Sequence, residues 1–263
     1  MRMLKTFLLF FVLSVVLAGC STSTNSSKEA KKPADRVELT VSAAISLTDA
    51  LEEIKNIYEE DHNVSLRFNL GGSGKLAQQI KQGAPVDAFV SANQDWMDKL
   101  EDEELILPAT REDVTGNKIV LIVKKGSSVA LQSIEDISAG TVEQIAIGNP
   151  ESVPAGQYAE QTLQTLNKWD ALKDKMVLAK DVRQVLTYVE TGNVDIGFVY
   201  ESDALTSKSV KILATAENGL HDPIIYPAAV LKESKYEKEA SEFVAFLVTD
   251  EAQKILERHG FRK

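Results

Sequence analysis

The sequence has very few of the residues that bind metal ions or crosslink chains. Its 263 residues include one cysteine, Cys20, and three histidines, His62, His221 and His259. The histidines are far apart, and none has the spacing to cysteines or carboxylates that is typical of a metal site. A single cysteine also suits an exported protein that avoids stray disulfides. The sequence therefore predicts no metal-cation site and no cofactor.

The chain also has fewer basic residues than acidic ones. There are 29 lysines and arginines against 39 aspartates and glutamates, which gives a formal net charge of −10. Nucleic acids and anionic membrane surfaces attract basic proteins, so this balance argues against both as main partners. The overall charge would also repel a small anion. Any anion site must therefore work through local hydrogen-bond donors.

The N-terminal apolar run is too short to cross a membrane. It covers 11 residues, 7–17, and it follows two basic residues, Arg2 and Lys5. A membrane-spanning helix needs about 20 apolar residues, whereas a basic start and a shorter apolar run are typical of a secretion signal. We expect residues 1–19 to be a signal segment. Its removal would bring the net charge to −12.

The signal segment ends in the stretch LAGC, residues 17–20, which contains Cys20. This pattern resembles the lipobox of bacterial lipoproteins, and the resemblance implies a lipid (such as palmitate) on Cys20 and cleavage before it. Residues 20–36 are rich in serine, threonine, lysine and alanine and have no apolar periodicity, as in a flexible tether. The expected location is the extracytoplasmic face of the cell membrane. An unmodified thiol beside an ordinary cleavage site is the alternative.

The first folded segment joins a strand to a helix through small residues. Residues 37–41 alternate apolar and polar side chains as a half-buried strand does, and apolar residues recur at helical spacing after Leu47. Ser46, with Asp49 three residues later, predicts a capping box at the start of that helix. The free N–H groups at a helix start suit an anion. A well-capped helix without a ligand is the simpler interpretation of one such turn.

Three further turns share this character. Small or hydroxyl-bearing residues stand at predicted helix starts near Ser73, Ala155 and Val182, as they do near Ser46. Strands that alternate with helices predict an α/β architecture with parallel sheets. Ligands of open α/β sheets lie beyond the carboxyl ends of the strands. The four turns together therefore favour one shared anion site.

Catalytic motifs were tested against the same turns. The stretch GSGK at 72–75 would need glycine at position 69 and serine or threonine at position 76 to match a phosphate-binding loop, and the chain has Asn69 and Leu76. The glycine-rich stretch is also one glycine short of the hydrolase pattern G-x-S-x-G, and no histidine is placed to act as its base. The sequence predicts a protein that is not an enzyme. An exported hydrolase using Ser73 is the alternative from another class.

Several segments read together resemble the molybdate-binding receptors of bacterial ABC importers. The similarity runs from about residue 37 to the C-terminus. The segments that carry it are AAISLTDA (43–50), GSGKLAQQI (72–80) with GAPVD (83–87), VPAGQYA (153–159), DVR (181–183) and GFVY (197–200).

The resemblance implies an oxyanion site made of uncharged donors. In that family two serine hydroxyls, backbone N–H groups and a tyrosine hydroxyl hold molybdate or tungstate. Carried over by motif position, they are Ser46, Ser73, Ala155, Val182 and Tyr200. The neighbouring Lys75 and Arg183 are expected to be solvated. The glycine-rich stretch 70–74 departs from relatives that carry several serines there, so the loop donors besides the Ser73 hydroxyl stay open.

The resemblance also implies a type II periplasmic-binding-protein fold, in which two α/β lobes close over the ligand. The expected lobes are residues 37–118 with 225–263, and residues 119–224. The expected partners are the molybdate oxyanion, an ABC permease and, through Cys20, the membrane, with the protein itself a monomer.

Selectivity between oxyanions depends on which side chains of the protein face the ligand. A shell of donors alone would reject protonated phosphate, unless a carboxylate such as Asp49, Asp181 or Asp203 faces the ligand. A receptor for sulfate or another oxyanion is the alternative within the same class, because cavity size decides between these anions.

Overall fold

A computed structural model describes residues 36–262 of the chain. The predicted signal segment, Cys20 and the tether up to residue 35 lie outside the described residues. Within residues 36–262, no helix is both long and apolar enough to span a membrane.

The described chain alternates strands and helices, as the sequence predicts. The strands are β1 (Val37–Ala44), β2 (Val64–Gly71), β3 (Ala88–Val90), β4 (Glu112–Gly116), β5 (Ile119–Lys124), β6 (Ile145–Gly148), β7 (Met176–Ala179), β8 (Ile196–Tyr200), β9 (Val210–Thr215) and β10 (Ile225–Val230). The helices are α1 (Thr48–Asp61), α2 (Ser73–Lys81), α3 (Gln94–Asp102), α4 (Pro154–Thr165), α5 (Trp169–Leu172), α6 (Val182–Thr191), α7 (Glu201–Thr206), α8 (Glu237–Leu247) and α9 (Asp250–Arg258).

The strands form two five-stranded sheets. The first has the order β2-β1-β3-β10-β4 and the second the order β7-β6-β8-β5-β9. In the first sheet β1 is parallel to β2 and β3, and β10 is antiparallel to β3 and β4. In the second, β6 is parallel to β7 and β8, and β5 is antiparallel to β8 and β9. The prediction of purely parallel sheets is therefore wrong.

The antiparallel strands lie where the chain changes sheets. Only residues 117–118 separate β4 of the first sheet from β5 of the second, and the return to the first sheet runs through residues 216–224 between β9 and β10. A strand reached through a helical crossover on the same sheet runs parallel to its neighbour. A strand that enters from the other sheet is free of that constraint. Each sheet and its helices form a lobe, the first containing β1 and the second β5.

Apolar residues at helical spacing predict one C-terminal helix from about residue 235 to 259, whereas the structure has two helices there. The break falls between Leu247, the last residue of α8, and Asp250, the first of α9. The Thr249 hydroxyl accepts a hydrogen bond from the Ala252 N–H at 3.4 Å and so caps α9. Threonine is a favoured residue at this capping position, which explains the new helix start.

Candidate anion-binding site

The five predicted donor residues line one small cavity between the lobes. Its walls come from the carboxyl ends of β1, β2 and β8 and from the starts of α2, α4 and α6. The lining residues are Ala44, Ile45, Ser46, Gly71, Gly72, Ser73, Ala92, Val153, Pro154, Ala155, Val182 and Tyr200. The space between the lining atoms is about 200 Å³, of which the centre of a water-sized sphere can reach about 10 Å³. A ligand as large as a sugar would need the lobes to separate.

Among residues 36–262, no charged side chain lines this cavity. Asp181 lies behind it, where its Oδ1 accepts a hydrogen bond from the Gln184 N–H at 2.9 Å and caps α6. Asp49 and Asp203 both contact Arg183. The three carboxylates that the sequence left as possible neighbours of the ligand are therefore engaged elsewhere. The residues that surround the cavity offer hydroxyl and backbone groups.

Ser46 does not cap the first helix, so the predicted capping box is wrong. It lies in a short 3-10 turn, Ile45–Leu47, that precedes α1, and its side chain makes no cap hydrogen bond. The Ser46 hydroxyl instead lies 3.0 Å from the hydroxyl of Tyr226, in the buried interior. The intervening 3-10 turn moves the helix start to Thr48. This leaves Ser46 facing the cavity rather than the helix backbone.

Ser73 is the first residue of α2 and is completely buried. Its hydroxyl oxygen accepts a hydrogen bond from the Ala92 backbone N–H at 3.0 Å. A serine hydroxyl has one proton to donate besides its acceptor positions. With Ala92 as the donor in that bond, the proton of Ser73 remains available to a ligand in the cavity.

Glycines let the two lobes approach each other at this point. The Gly74 N–H donates to the carbonyl oxygen of Ser152, in the second lobe, at 2.9 Å. A Cβ atom on Gly74 would lie 2.6 Å from that oxygen and 2.5 Å from Cζ2 of Trp96. A Cβ on Gly72 would lie 3.0 Å from the carbonyl oxygen of Lys180, which is also in the second lobe. The glycine-rich stretch 71–74 therefore serves close backbone packing.

Two backbone donors come from the second lobe. Ala155 is the second residue of α4, which starts at Pro154, and Val182 is the first residue of α6, which Asp181 caps. The first N–H groups of a helix have no partner inside the helix and lie at the positive end of its dipole. Both residues are buried. Both residues also line the cavity.

Tyr200 ends β8, as the sequence predicts, and its side chain is buried. Its hydroxyl donates to the carbonyl oxygen of Ala92, in the first lobe, at 3.4 Å. Burial raises the pKa of Tyr200 well above its ordinary value, so the hydroxyl keeps its proton. An anion in the cavity can compete for this proton because the bond to Ala92 is long.

Arg183 is not the solvated residue that the sequence predicts. Its Nη2 lies 2.6 Å from Oδ2 of Asp49 on α1, and its Nε lies 2.6 Å from Oδ1 of Asp203 on α7. The guanidinium group thus joins a carboxylate of the first lobe to one of the second. Sequence spacing carries no signal for this, since Asp49 and Arg183 are 134 positions apart. Lys75, in contrast, is exposed as predicted.

Asp203 is the most unusual carboxylate of this region, because its side chain is 0% exposed. Burial raises the pKa of Asp203 to about 7, although the nearby Arg183 opposes the shift. Asp203 does not line the cavity. Its charge therefore affects the stability of the second lobe and the ion pair with Arg183, not the cavity directly.

Metal-binding and catalytic constellations are not found in the described part of the chain. Residues 36–262 contain no group of three or more histidine, cysteine or carboxylate side chains that could hold a metal ion. Neither does a histidine line the cavity. Ser73 accordingly lacks the base that a hydrolytic nucleophile requires at this site.

Comparison with known proteins finds relatives that match most of this chain. A Bacillus subtilis (strain 168) protein named "Putative ABC transporter substrate-binding lipoprotein YvgL" is 47% identical over 248 residues, which cover 94% of this chain and 93% of that protein. The molybdate-binding protein ModA of Escherichia coli (strain K12) is 38% identical over 232 residues, covering 87% of this chain and 90% of that protein. The solved Azotobacter vinelandii periplasmic molybdate-binding protein matches with a TM-score of 0.75 and 25% identity, over 86% of this chain and 99% of that one.

These relatives confirm the fold class that the sequence predicts, two α/β lobes of the periplasmic-binding-protein type. The family model described as bacterial extracellular solute-binding protein matches residues 39–262. The family is one of transport proteins that bind a solute, which confirms the prediction that the chain is not an enzyme. The chain belongs to the bacterial extracellular solute-binding protein family.

Proposed function

We propose that this protein captures molybdate outside the cytoplasm and delivers it to an ABC importer. The observation that carries the proposal is the cavity between the lobes, which is lined by uncharged donors and by no charged side chain. The names of the Escherichia coli and Azotobacter vinelandii relatives, both molybdate-binding proteins, support the choice of anion.

The proposed ligand donors are those predicted from the motifs. They are the hydroxyls of Ser46, Ser73 and Tyr200 and the backbone N–H groups of Ala155 and Val182. A hydrogen bond to a charged group contributes roughly 1.5–3 kcal/mol, so five such donors contribute on the order of 10 kcal/mol. An exposed helix dipole adds only about 0.3–1 kcal/mol. Direct donors therefore outweigh the dipoles, and they offset the repulsion from a protein of net charge −10.

The same donors explain selectivity against phosphate. A fully deprotonated oxyanion accepts hydrogen bonds on every oxygen, whereas hydrogen phosphate would place its own proton against a donor. Among the described residues, no carboxylate side chain lines the cavity. The phosphate proton therefore finds no charged acceptor there. Molybdate and tungstate both suit a shell of this kind.

Ligand binding is coupled to lobe closure in this proposal. We assign residues 37–118 and 225–263 to the first lobe and residues 119–224 to the second, in keeping with the membership of the two sheets. Ser46 and Ser73 then belong to the first lobe, and Ala155, Val182 and Tyr200 to the second. Only the closed arrangement completes the donor shell, so the anion shifts the population toward closure.

The cellular setting is proposed from the N-terminal sequence. A lipid on Cys20 would hold the protein at the outer face of the cell membrane, near the permease, with residues 21–35 as the tether. The Bacillus subtilis relative carries the word lipoprotein in its name, which supports this assignment. We propose that the protein acts as a monomer, because each chain supplies both lobes of the cleft.

Calorimetry tests the function directly. Residues 21–263 would be titrated with molybdate, tungstate, sulfate and phosphate under the same conditions. The proposal expects tight binding of molybdate and tungstate, weaker binding of sulfate and the weakest binding of phosphate. Sulfate binding as strong as molybdate binding would overturn the assignment and favour a sulfate receptor.

A further inference from the structure

Each of the two serine hydroxyls in the cavity lies next to a buried group of the first lobe. Behind Ser73 this group is the Ala92 backbone N–H, 3.0 Å from the serine oxygen. A backbone N–H can only donate, so the Ser73 oxygen must be the acceptor and its proton must point elsewhere. Behind Ser46 the equivalent place is taken by the Tyr226 hydroxyl, also at 3.0 Å. A hydroxyl can donate or accept, so the direction of this second bond depends on what else Tyr226 contacts.

Asn117 supplies that information. Its Oδ1 accepts from the Lys118 backbone N–H at 2.9 Å, which identifies Nδ2 as the amide nitrogen. Nδ2 donates to the hydroxyl of Ser202 at 2.8 Å and lies 3.4 Å from the hydroxyl of Tyr226. Because an amide nitrogen donates only, Tyr226 is the acceptor of that contact. The single proton of Tyr226 is then free to be donated to Ser46.

The surroundings of Tyr226 hold it in place. Its side chain is 0% exposed, and its ring packs edge-on against Phe261 at a centroid distance of 5.5 Å. Burial also raises the pKa of Tyr226 well above its ordinary value, so the hydroxyl keeps its proton. Tyr226 does not line the cavity. Its ring also lies 5.7 Å from the ring of Tyr200, another proposed donor, so the part of its effect that passes through Ser46 is the part that vanishes in a Ser46→Ala background.

We propose that Tyr226, held by Asn117, is a positioning residue that makes the Ser46 hydroxyl a donor to the bound anion. The order of donation is Asn117 to Tyr226, Tyr226 to Ser46 and Ser46 to the anion. This inference rests on the proposed function and deepens it, because it names the residues that bias one serine toward fully deprotonated oxyanions.

A double-mutant cycle tests the relay. Molybdate affinity would be measured by calorimetry on the full chain, purified in mild detergent, for wild type, Tyr226→Phe, Ser46→Ala and the double variant. Loss of one oriented donor to a charged group should weaken binding about fivefold to tenfold in Tyr226→Phe. The double variant should bind no more weakly than Ser46→Ala alone. Additive losses would overturn the relay.

Anion discrimination supplies a second readout, which a purely structural role of Tyr226 would leave unchanged. Without the tyrosine proton, the Ser46 oxygen can accept a proton from hydrogen phosphate. Excess phosphate should therefore raise the melting temperature of Tyr226→Phe more than that of the wild type. An equal or smaller rise would contradict the proposal.

The matched control is Tyr58→Phe. Tyr58 is also a buried tyrosine, and within the described residues its hydroxyl has no hydrogen-bond partner. Its removal should leave molybdate affinity unchanged, and an equal loss in both tyrosine variants would overturn the relay. If Tyr226→Phe folds poorly, Asn117→Ala takes its place and should show a smaller loss that vanishes in the Ser46→Ala background. A wild type that fails to bind molybdate would overturn the proposed function itself, whereas binding without coupling overturns only the relay.

Discussion

At the scale of single residues, the proposed donors of the cavity are of two kinds, side-chain hydroxyls and backbone N–H groups. The Ser73 hydroxyl has its oxygen already bonded to the Ala92 N–H, whereas Val182 offers the N–H at the start of α6. The two kinds of donor respond differently to substitution. Truncation removes a hydroxyl but leaves a backbone group where it is.

Ser73→Ala should weaken molybdate binding roughly tenfold to a hundredfold, because a hydrogen bond to a charged group contributes about 1.5–3 kcal/mol. Calorimetry measures the loss, with Ser241→Ala on α8, away from the cavity, as the matched control. An unchanged affinity would remove Ser73 from the donor set. The hydrolase alternative is checked on the same samples, since it expects ester turnover in wild type that Ser73→Ala abolishes.

Val182→Ala should lower molybdate affinity much less than Ser73→Ala does, because the backbone N–H persists. The lost packing should appear in stability, at about 1 kcal/mol or more, since Val182 is only 3% exposed. Urea unfolding and calorimetry on the same variant separate the two effects. A loss of affinity as large as that of Ser73→Ala would show that the valine side chain contacts the anion.

At the scale of elements, the start of α2 meets the second lobe through Gly74. The sequence showed a helix start there but not the reason for its glycines, because the contact is with the backbone at Ser152, 78 positions away. The predicted capping box at Ser46 was wrong for a similar reason, a contact with a distant residue. The 3-10 turn before α1 satisfies its own backbone, so the serine is available for Tyr226.

Gly74→Ala should weaken molybdate binding, since its Cβ would lie 2.6 Å from the Ser152 carbonyl oxygen when the lobes are together. Overpacking of this kind costs about 1–3 kcal/mol. The new methyl group would also lie 2.5 Å from the buried ring of Trp96, so part of the cost falls on the stability of the first lobe, which urea unfolding measures separately. The control is Gly140→Ala, where only Ser138 Oγ lies near, at 3.9 Å. Equal affinities of the two variants would argue against close packing at Gly74 in the bound state.

Arg183 forms an ion pair that links a helix of the second lobe to a helix of the first. It connects α6 to Asp49 on α1 at 2.6 Å, and Asp49 is 47% exposed. An exposed ion pair contributes only about 0.2–1 kcal/mol, and salt screens it. In the proposed function this pair would adjust the balance between open and closed lobes, and the donors around the cavity would hold the anion.

Asp49→Asn should weaken molybdate binding about twofold to fivefold at low salt, and the difference from wild type should shrink at high salt. Titrations at two ionic strengths measure both effects. Glu38→Gln serves as the control, because its pair with Arg67 at 2.9 Å lies within the first lobe. A salt-independent loss in Asp49→Asn would point to a cause other than the ion pair.

At the scale of the whole molecule, the buried Asp203 makes folding sensitive to pH. Its pKa is raised from 3.8 to about 7 by burial. Between these values the native state holds a proton that the unfolded state has released, so the unfolded state binds fewer protons. The free energy of unfolding from this group is therefore highest below about pH 4 and falls until about pH 7.

Asp203→Asn should lack this pH dependence, because asparagine does not titrate. The stability of wild type relative to Asp203→Asn should fall by up to about 1.4 kcal/mol per pH unit between pH 4 and pH 7. Urea unfolding of both proteins across this range gives the difference directly. A difference that stays flat over this range would mean that Arg183 keeps Asp203 ionised in the native state.

The sequence alone determined the local features of this protein. Apolar periodicity and small-residue turns predicted the alternation of strands and helices and the turns near Ser46, Ser73, Ala155 and Val182. The family resemblance proposed these residues and Tyr200 as donors, and all five line one cavity. These signals are readable because a helix, a strand or a helix start depends on residues a few positions apart. The family resemblance added the two-lobed fold, which periodicity does not specify.

Only the tertiary structure decided which distant groups meet. It made the sheets mixed, because strands enter each lobe from the other. It paired Ser46 with Tyr226, 180 positions away, and Arg183 with Asp49 across the lobes. Such contacts depend on how whole helices and strands pack and on which polar groups are buried next to each other. The spacing of residues along the chain carries no information about either. The first turn thus holds Ser46 at the cavity with Tyr226 behind it.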